Sequence, residues 1–295
     1  MHLCQRTTIT EVKFSLNKFT SFLISTSLFL AISGSLKVLF FCLLFNTFVL
    51  NIVLATFLII FSTYGLNKLT DIKEDAINAP ERAKIIKKIE PVFKFSLVFS
   101  FILSLLLGFS VNVLTLPVLL FPLFSGTLYS VKFSKNLPRL KDILGVKNIT
   151  IALTWAVGST LLPAICLLEK EIMQILLIFY FFFLKSLINA VLFDIRDIEG
   201  DRISGVRTMP VVFGRKKTKN LLLILNSTLI PWLAISYLSG FFYQYLPVLI
   251  FAIAYGYWYI IHFCKEGVKI GKSLDLLVDG EWIPIVIFCF CLPSL

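Results

Sequence analysis

Asn67-Lys68-Leu69-Thr70-Asp71-Ile72-Lys73-Glu74-Asp75 is a polar stretch that ends a long apolar run, which begins near Asn51. If the helix of that run continues through the stretch, the side chains of Asn67, Asp71 and Asp75 lie on one face, because residues four apart are neighbours on a helix surface. We call these three residues the first ladder. They predict a row of oxygen-bearing side chains at one end of a helix.

A second acidic stretch ends another long apolar run, and it reads Asp194-Ile195-Arg196-Asp197-Ile198-Glu199-Gly200-Asp201. At about 100° per residue, the side chains of Asp194, Asp197 and Asp201 fall within an arc of about 60° on a helix. We call these three residues the second ladder. The two ladders, at the ends of two helices, form the candidate site.

The composition argues against a soluble globular protein. Of the 295 residues, 58% are hydrophobic and 15% are charged, and the mean hydropathy is +0.90. Soluble domains carry about 25% charged residues. We therefore predict an all-α fold, a polytopic membrane helical bundle that forms one domain over residues 1–295. The six cysteines are scattered and only two histidines are present, so neither a zinc or haem site nor a disulfide framework is expected.

Nine stretches are long and apolar enough to be read as membrane spans, which need about 20 mostly apolar residues each. The first is expected to be retained, since the N-terminal residues lack the pattern of a cleaved signal peptide. At its end, Gly34, Ser35 and Lys37 predict a turn or a bend. The nine spans are expected to surround a central cavity that is open at the cytoplasmic face. They cover residues 19–36, 47–69, 92–111, 113–130, 146–168, 172–193, 220–239, 244–264 and 280–295.

The positive charges are distributed very unevenly between the two sides of this bundle. Of the 28 Lys and Arg residues, 25 fall in the N-terminal segment and in the loops after spans two, four, six and eight. The opposite loops hold only Lys37 and Lys170, and Lys185 lies within span six. Positively charged loops stay on the cytoplasmic side of a membrane. We therefore expect a protein of the cell membrane with its N-terminus inside and both ladders facing the cytoplasm.

The net charge of +11 is explained in the same way. In a soluble chain it would suggest nucleic acid as a partner, but here cationic cytoplasmic loops account for it, and no nucleic-acid partner is expected.

The two ladders stand four spans and 126 residues apart, counted from Asp75 to Asp201. This spacing predicts an internal duplication, with spans one to four related to spans five to eight.

The stacked carboxylates of the ladders need a counter-charge, because like charges four residues apart destabilise a helix. Neighbouring Lys and Arg side chains could supply it. The alternative is a hard divalent cation such as Mg²⁺, which prefers oxygen ligands and bridges to substrate phosphates. Basic residues that could bind phosphate oxygens follow span four and both ladders. They are Lys132, Lys135, Arg139, Lys141 and Lys147, together with Arg82, Arg202 and Arg207.

Two polar residues within span six are also candidates for the site. Lys185 and Asn189 lie one to two helical turns before Asp194. An ionisable group at that depth is expensive, so it is a functional candidate. For Lys185, the alternatives are a side chain that reaches the membrane surface or an ion pair with a ladder aspartate.

Together these motifs resemble the UbiA superfamily of intramembrane prenyltransferases. Its members carry N-x-x-x-D-x-x-x-D after the second span, as in Asn67 to Asp75, and D-x-x-x-D after the sixth, as in Asp197 and Asp201. The stretch from Gly205 to Gly214 is similar as well. So is the Tyr-Ser pair that ends span four and precedes basic residues and a Lys-Asn pair. These positions are Tyr129, Ser130, Lys132, Lys135, Lys147 and Asn148.

The resemblance also has departures. Many members have Asn-Asp at the start of the first motif, where this chain has Asn67-Lys68. The Pro-x-Ser-Gly continuation after Arg82 is absent, and Phe133 stands where some members have a lysine four residues after the tyrosine. These departures bear on the metal geometry and on the identity of the acceptor.

The resemblance implies a transfer of a prenyl group from an allylic polyprenyl diphosphate to a lipophilic acceptor in the lipid bilayer, with Mg²⁺ as cofactor and pyrophosphate as product. A quinone-precursor ring, a porphyrin-type ring and a glycerophosphate ether lipid all remain open as acceptors. The implied catalytic residues are Asp71, Asp75, Asp197 and Asp201. The implied metal ligands are these four with Asn67 and Asp194. Substrate binding is assigned to Asn67, Lys68, Arg82, Tyr129, Lys132, Arg139, Lys147, Asn148, Lys185 and Asn189.

Two other classes of membrane protein would also use an acidic site of this kind. A non-enzymatic membrane carrier with a cation-binding site would need polar groups that continue through the bilayer, and spans three, seven and nine offer almost none. A phosphatidyl-type alcohol transferase would need the pattern D-x-x-D-G-x-x-A-R, which is found around neither ladder. The prenyltransferase is therefore the favoured interpretation, and the carrier is its alternative.

Overall fold

The computed structural model describes residues 17–70, 72, 79–130, 143–168, 171–203, 205–268 and 270–292, with the side chains of 127–130 excepted. All regular structure in these residues is helical, which confirms the all-α prediction. The helices are α1 (Asn17–Ser25), α2 (Leu28–Leu44), α3 (Leu50–Thr70), α4 (Pro80–Val111), α5 (Thr115–Ser130), α6 (Val146–Ala164), α7 (Ile172–Arg196), α8 (Ile198–Ile203), α9 (Met209–Ser227), α10 (Leu229–Leu238), α11 (Leu246–Phe263), α12 (Lys272–Leu277) and α13 (Trp282–Cys291). Short 3₁₀ turns span Tyr243–Tyr245 and Asp279–Glu281.

Each predicted span overlaps at least one of these helices. By length and apolar composition, the described residues contain five helical segments that can cross a membrane, or six if the bent pair α1 and α2 counts as one span. The protein is therefore an integral membrane protein, and the exact number of nine spans stays a prediction. The five segments are Leu50–Thr70, Pro80–Val111, Ile172–Arg196, Met209–Leu238 and Tyr243–Phe263.

The bend predicted near Gly34 is wrong, because α2 continues through that position without a break. The chain instead bends by 72° between α1 and α2, where Ser27 adopts a left-handed conformation with φ of 64°. A Cβ atom at Gly34 would clash with Ile60 and with the ring of Trp155. Gly34 therefore serves close packing of α2 against α3 and α6 rather than a turn.

Lys37 belongs to the same correction. The sequence places it in a loop, but it lies in the middle of α2 and is 5% exposed. Because α2 places the Lys37 amine inside the bundle, Lys37 no longer counts among the charged residues of the loops opposite the cytoplasmic side. Lys170, which lies outside the described residues, is then the one basic residue assigned to that side by the sequence.

Helix α2 connects two hydrophobic clusters. Its Ala31 and Val38 pack in a cluster with residues of α3 and α4, such as Ile52 and Phe93. Its Phe40 and Phe41 belong to a larger cluster built mainly from α7 and the helices from α9 onward, with Ala156 and Ala164 of α6. Large apolar side chains on α4 face outward instead, as Val92 and Phe95 do at 73% and 72% exposure. In a membrane protein such side chains contact lipid.

Candidate active site

A cavity of about 340 Å³ is lined by residues of α1 to α7, of α12 and of the 3₁₀ turn Asp279–Glu281, and it contains residues of both ladders. Asn67 and Lys68 come from the last turns of α3, and Asp194 comes from the last turn of α7. The first turn of α6 adds Lys147 to the wall. The predicted site residues that line the cavity are Asn67, Lys68, Arg82, Lys147, Asn189, Asp194 and Asp197. The structure thus brings together two sequence segments more than a hundred residues apart.

Asp194 is buried between a cation and an amide. The Lys147 Nζ donates to Asp194 Oδ1 at 3.1 Å, and the Asn148 Nδ2 donates to Asp194 Oδ2 at 2.7 Å. Asn148 is itself buried and stands behind the cavity wall. For this member of the second ladder, a neighbouring lysine supplies the counter-charge that the sequence left open.

Asp197 is held by the residue before it. The Arg196 Nε donates to Asp197 Oδ1 at 2.9 Å, and the Arg196 Nη2 donates to Asp197 Oδ2 at 3.2 Å. The other end of the same guanidinium lies 3.6 Å from Asp275 Oδ2. Burial raises the pKa of Asp275, and the positive charge of Arg196 opposes that rise. Arg196 therefore joins the second ladder to a segment near the C-terminus.

Asp201, the last member of the second ladder, lies on the short helix α8. Its Oδ2 is buried and has no hydrogen-bond partner in the described part of the chain. Burial raises the pKa of this carboxyl, and the positive charge of Lys147 offsets part of the rise. A buried carboxylate oxygen without a partner is costly unless an ion or water satisfies it.

These donors fit Mg²⁺ by their chemistry. The ladders offer carboxylate and amide oxygens, which are the ligands of a hard divalent cation, and Asp201 has an oxygen that lacks a partner among the described residues. No group of three or more His, Cys, Asp or Glu residues close enough to hold a metal is found within the described ranges. Two of the predicted ligands, Asp71 and Asp75, lie outside those ranges.

Other predicted residues also fall where the structure gives no description. Lys132, Lys135, Arg139 and Lys141 lie in the segment 131–142, outside the described residues. The side chain of Tyr129 is likewise not described. Their assignment to substrate binding stays a prediction.

Lys185 does not reach the cavity. Its amine lies 2.7 Å from Glu281 Oε2 and donates to the Tyr259 hydroxyl at 2.8 Å and to the Ala252 carbonyl oxygen at 3.1 Å. Both Lys185 and Glu281 are about 1% exposed. The alternative in which Lys185 pairs with a ladder aspartate is therefore wrong, since its acidic partner is Glu281.

Asn189 does line the cavity, and it identifies an acidic residue that the sequence reasoning missed. Its Nδ2 donates to Asp279 Oδ1 at 2.8 Å. Asp275 and Asp279, four residues apart like the ladder residues, both belong to the cavity wall. Their spacing was the available signal, but they fall between two apolar runs rather than at the end of a long one.

Lys37 is the second residue that the sequence reasoning missed. It lines the cavity, donates to Ser186 Oγ at 3.2 Å and lies over the rings of Trp155 and Trp282, at 4.3 Å and 5.3 Å from their centroids. Its isolation between two apolar runs was a signal that it is not a loop residue. The cavity therefore has a polar inner wall in addition to the two ladders.

Comparison with known proteins agrees with this geometry. A sequence model of the UbiA prenyltransferase family matches residues 20–274. The chain belongs to the UbiA prenyltransferase family. The resemblance seen in the motifs is thereby confirmed, and so is the enzyme class.

Individual UbiA proteins have a low sequence identity to this chain. The digeranylgeranylglyceryl phosphate synthase of Methanosphaera stadtmanae is 28% identical over 233 residues, which cover 75% of this chain and 80% of the relative. The probable homogentisate phytyltransferase 1 of rice is 31% identical over 199 residues, 59% of this chain and 45% of the relative. The structure of a UbiA homologue from Archaeoglobus fulgidus bound to GPP and Mg²⁺ superposes with a TM-score of 0.67 at 18% identity, over 93% of this chain and all of that one. This last similarity establishes the fold.

Proposed function

We propose that the chain transfers a prenyl group from an allylic polyprenyl diphosphate to a lipophilic acceptor, with Mg²⁺ as cofactor and pyrophosphate as the second product. One observation carries the proposal. A single cavity contains Asp194 and Asp197 of the second ladder, Asn67 of the first, and the cations Lys68, Arg82 and Lys147. Carboxylates for a metal and cations for phosphoryl oxygens are the two sets of groups that a diphosphate needs.

Mg²⁺ would be held by the ladder oxygens of Asn67, Asp71, Asp75, Asp194, Asp197 and Asp201, and it would supply an electrophile for the charge of the departing pyrophosphate. The chain's own cations act on the same charge. Lys68, Arg82 and Lys147 line the cavity, so their positive charges stabilise the pyrophosphate as the bond between the allylic carbon and oxygen breaks. Such stabilisation is stronger where water is scarce.

The apolar part of the wall suits the other half of the donor. The rings of Tyr64 and Trp155 lie 5.7 Å apart, and both line the cavity beside Phe29 and Phe193. These side chains limit the access of water, which would otherwise capture the allylic carbon and give the prenyl alcohol. The aromatic faces also favour a nearby positive charge such as an allylic carbocation.

Among the acceptors that the sequence left open, we favour a glycerophosphate ether lipid. The support is the name digeranylgeranylglyceryl phosphate synthase, which the Methanosphaera relative carries. The rice relative is named for homogentisate, an aromatic acceptor, and it matches a smaller share of this chain. We also propose that the cavity opens toward the cytoplasm of a nine-span protein of the cell membrane.

The test is an assay of the purified protein with geranylgeranyl and farnesyl diphosphate against a panel of acceptors, read by mass spectrometry with and without Mg²⁺. We expect a prenylated glycerophosphate ether only when Mg²⁺ is present. Removal of one ladder carboxylate, Asp197→Ala, should lower transfer by about 100-fold or more, the scale on which single electrostatic groups act in catalysis. Glu199→Ala is the matched control, because Glu199 is an exposed acid two residues away that lies outside the cavity.

Unchanged transfer in Asp197→Ala would contradict the proposal, as would turnover that ignores Mg²⁺. The carrier alternative makes a different prediction. It requires cation flux across proteoliposomes without any prenylated product, and this result in the wild-type protein would favour it.

A further inference from the structure

The inner wall of the cavity holds a carboxylate that belongs to neither ladder. Asp279 lies in the 3₁₀ turn before α13, outside the helical segments that can cross the membrane, and it lines the same cavity as Asp194. Its partner Asn189 precedes Asp194 by five residues in α7, which is about 7 to 8 Å along the helix axis. The two carboxylates therefore stand at different depths of one cavity.

Asp279 is held firmly in this place. The Asn189 Nδ2 donates to its Oδ1 at 2.8 Å, and the Ser33 hydroxyl donates to its backbone carbonyl oxygen. Two residues later, Glu281 is paired with Lys185 in the interior of the bundle. Contacts from α2 and α7 thus fix both the backbone and the carboxyl group of Asp279.

Asp279 differs from the other acids of the cavity wall in its partners. Asp194 has Lys147 at 3.1 Å, and Asp197 and Asp275 share Arg196 at 2.9 Å and 3.6 Å. Within the described ranges, Asp279 has an amide donor but no cation at ion-pairing distance. Three of these four carboxylates are therefore ion-paired, with two cations between them, whereas Asp279 has no such partner among the described residues and takes up a proton more readily.

We propose that Asp279 is the base that accepts the proton of the acceptor's hydroxyl group. This rests on the proposed prenyl transfer and deepens it, because it assigns the acceptor to the class of alcohols. The bond between the allylic carbon and the diphosphate oxygen breaks, and its electron pair leaves with pyrophosphate. A lone pair of the acceptor oxygen forms the new bond to that carbon, its O–H bond breaks, and the proton passes to the Asp279 carboxylate.

The ionisation of Asp279 suits this step. Burial raises the pKa of its carboxyl to about 7, and the hydrogen bond from Asn189 opposes the rise. The positive charges of Lys37 and Arg196 also oppose it, whereas the negative charge of Asp275 adds to it. A general base works best when its pKa lies near the working pH. The leaving pyrophosphate is a poorer base here, since the cations at the other end of the cavity withdraw its charge.

The experiment separates departure of pyrophosphate from capture by the acceptor. Asp279→Asn is nearly isosteric and keeps an oxygen for the hydrogen bond from Asn189. The variant and the wild type are assayed with geranylgeranyl diphosphate, Mg²⁺ and one of two acceptors: geranylgeranylglyceryl phosphate or its deoxy analogue without the hydroxyl. We expect ether formation to fall by about 100-fold or more, the usual contribution of a general base. With the deoxy analogue only water can capture the allylic carbon, so pyrophosphate and the prenyl alcohol should form slowly, and at the same rate in Asp279→Asn as in the wild type.

The pH profile gives a second readout. Wild-type ether formation should rise through pH 7 as Asp279 ionises, and this limb should vanish in Asp279→Asn. Asp275→Asn is the matched control, since it removes a carboxylate of the same wall that is already paired with Arg196. It should retain the limb but move it to lower pH, because the negative charge of Asp275 no longer raises the pKa of Asp279.

Ether formation by Asp279→Asn at the wild-type rate would overturn the proposal. So would loss of pyrophosphate release with the deoxy analogue in this variant, because Asp279 would then serve the donor or the fold. Failure of the proposed function looks different, since the wild-type protein itself would then release no pyrophosphate from any donor.

Discussion

At the scale of single residues, mutation of the buried ion pair between Lys185 and Glu281 tests the packing of the bundle interior directly. Removing one partner of a buried ion pair leaves an uncompensated charge and costs about 3 to 5 kcal/mol. We therefore expect Lys185→Met to lower the unfolding temperature strongly in detergent, measured by intrinsic fluorescence. The double variant Lys185→Met with Glu281→Gln should recover much of the loss, because no net charge then stays buried.

Lys94→Met is the matched control for this prediction. Lys94 pairs with Glu90 at 2.7 Å on an exposed part of α4, and exposed pairs contribute only about 0 to 1 kcal/mol. Equal losses in Lys185→Met and Lys94→Met would show that the interior pair has no special role in stability.

The same residues show what a sequence can and cannot predict about the site. The ladder residues Asn67, Asp194 and Asp197 were found because helical spacing is a local property, and all three line the cavity. The partners of Lys185 and Asn189 were not found, because Glu281 and Asp279 are about 90 residues away in the chain. Only the fold brings such residues together.

At the scale of helices, α2 depends on a glycine at its crossing with α3 and α6. Gly34→Ala would place a methyl group against Ile60 and the ring of Trp155. Overpacking of this kind costs about 1 to 3 kcal/mol, so we expect a lower unfolding temperature. Gly158→Ala in α6 is the matched control, because nothing lies within 4 Å of its added methyl. It should raise stability by up to about 1 kcal/mol, the difference in helix propensity between the two residues.

A stabilising effect of Gly34→Ala would contradict the close crossing of α2.

The bend that the sequence predicts at Gly34 is wrong for a related reason, because this glycine serves packing between helices and does not break α2. Gly34 and Lys37 in an apolar run were interpreted as a break, whereas the glycine provides room for α3 and α6, and Lys37 reaches Ser186 on α7. A sequence records that a residue is small or polar, but whether it ends a helix or fits a neighbour depends on tertiary contacts.

At the scale of the whole molecule, the correction of Lys37 makes the charge asymmetry larger. With Lys37 and Lys185 both inside the bundle, Lys170 is the one basic residue left on the side opposite to 25 others, by the nine-span assignment. So uneven a distribution predicts a single orientation in the membrane. In a cysteine-free background, Glu171→Cys should react with a membrane-impermeant maleimide in intact cells. Lys217→Cys, exposed on α9, should react only after the membrane is opened, and the reverse pattern would contradict a cytoplasmic active site.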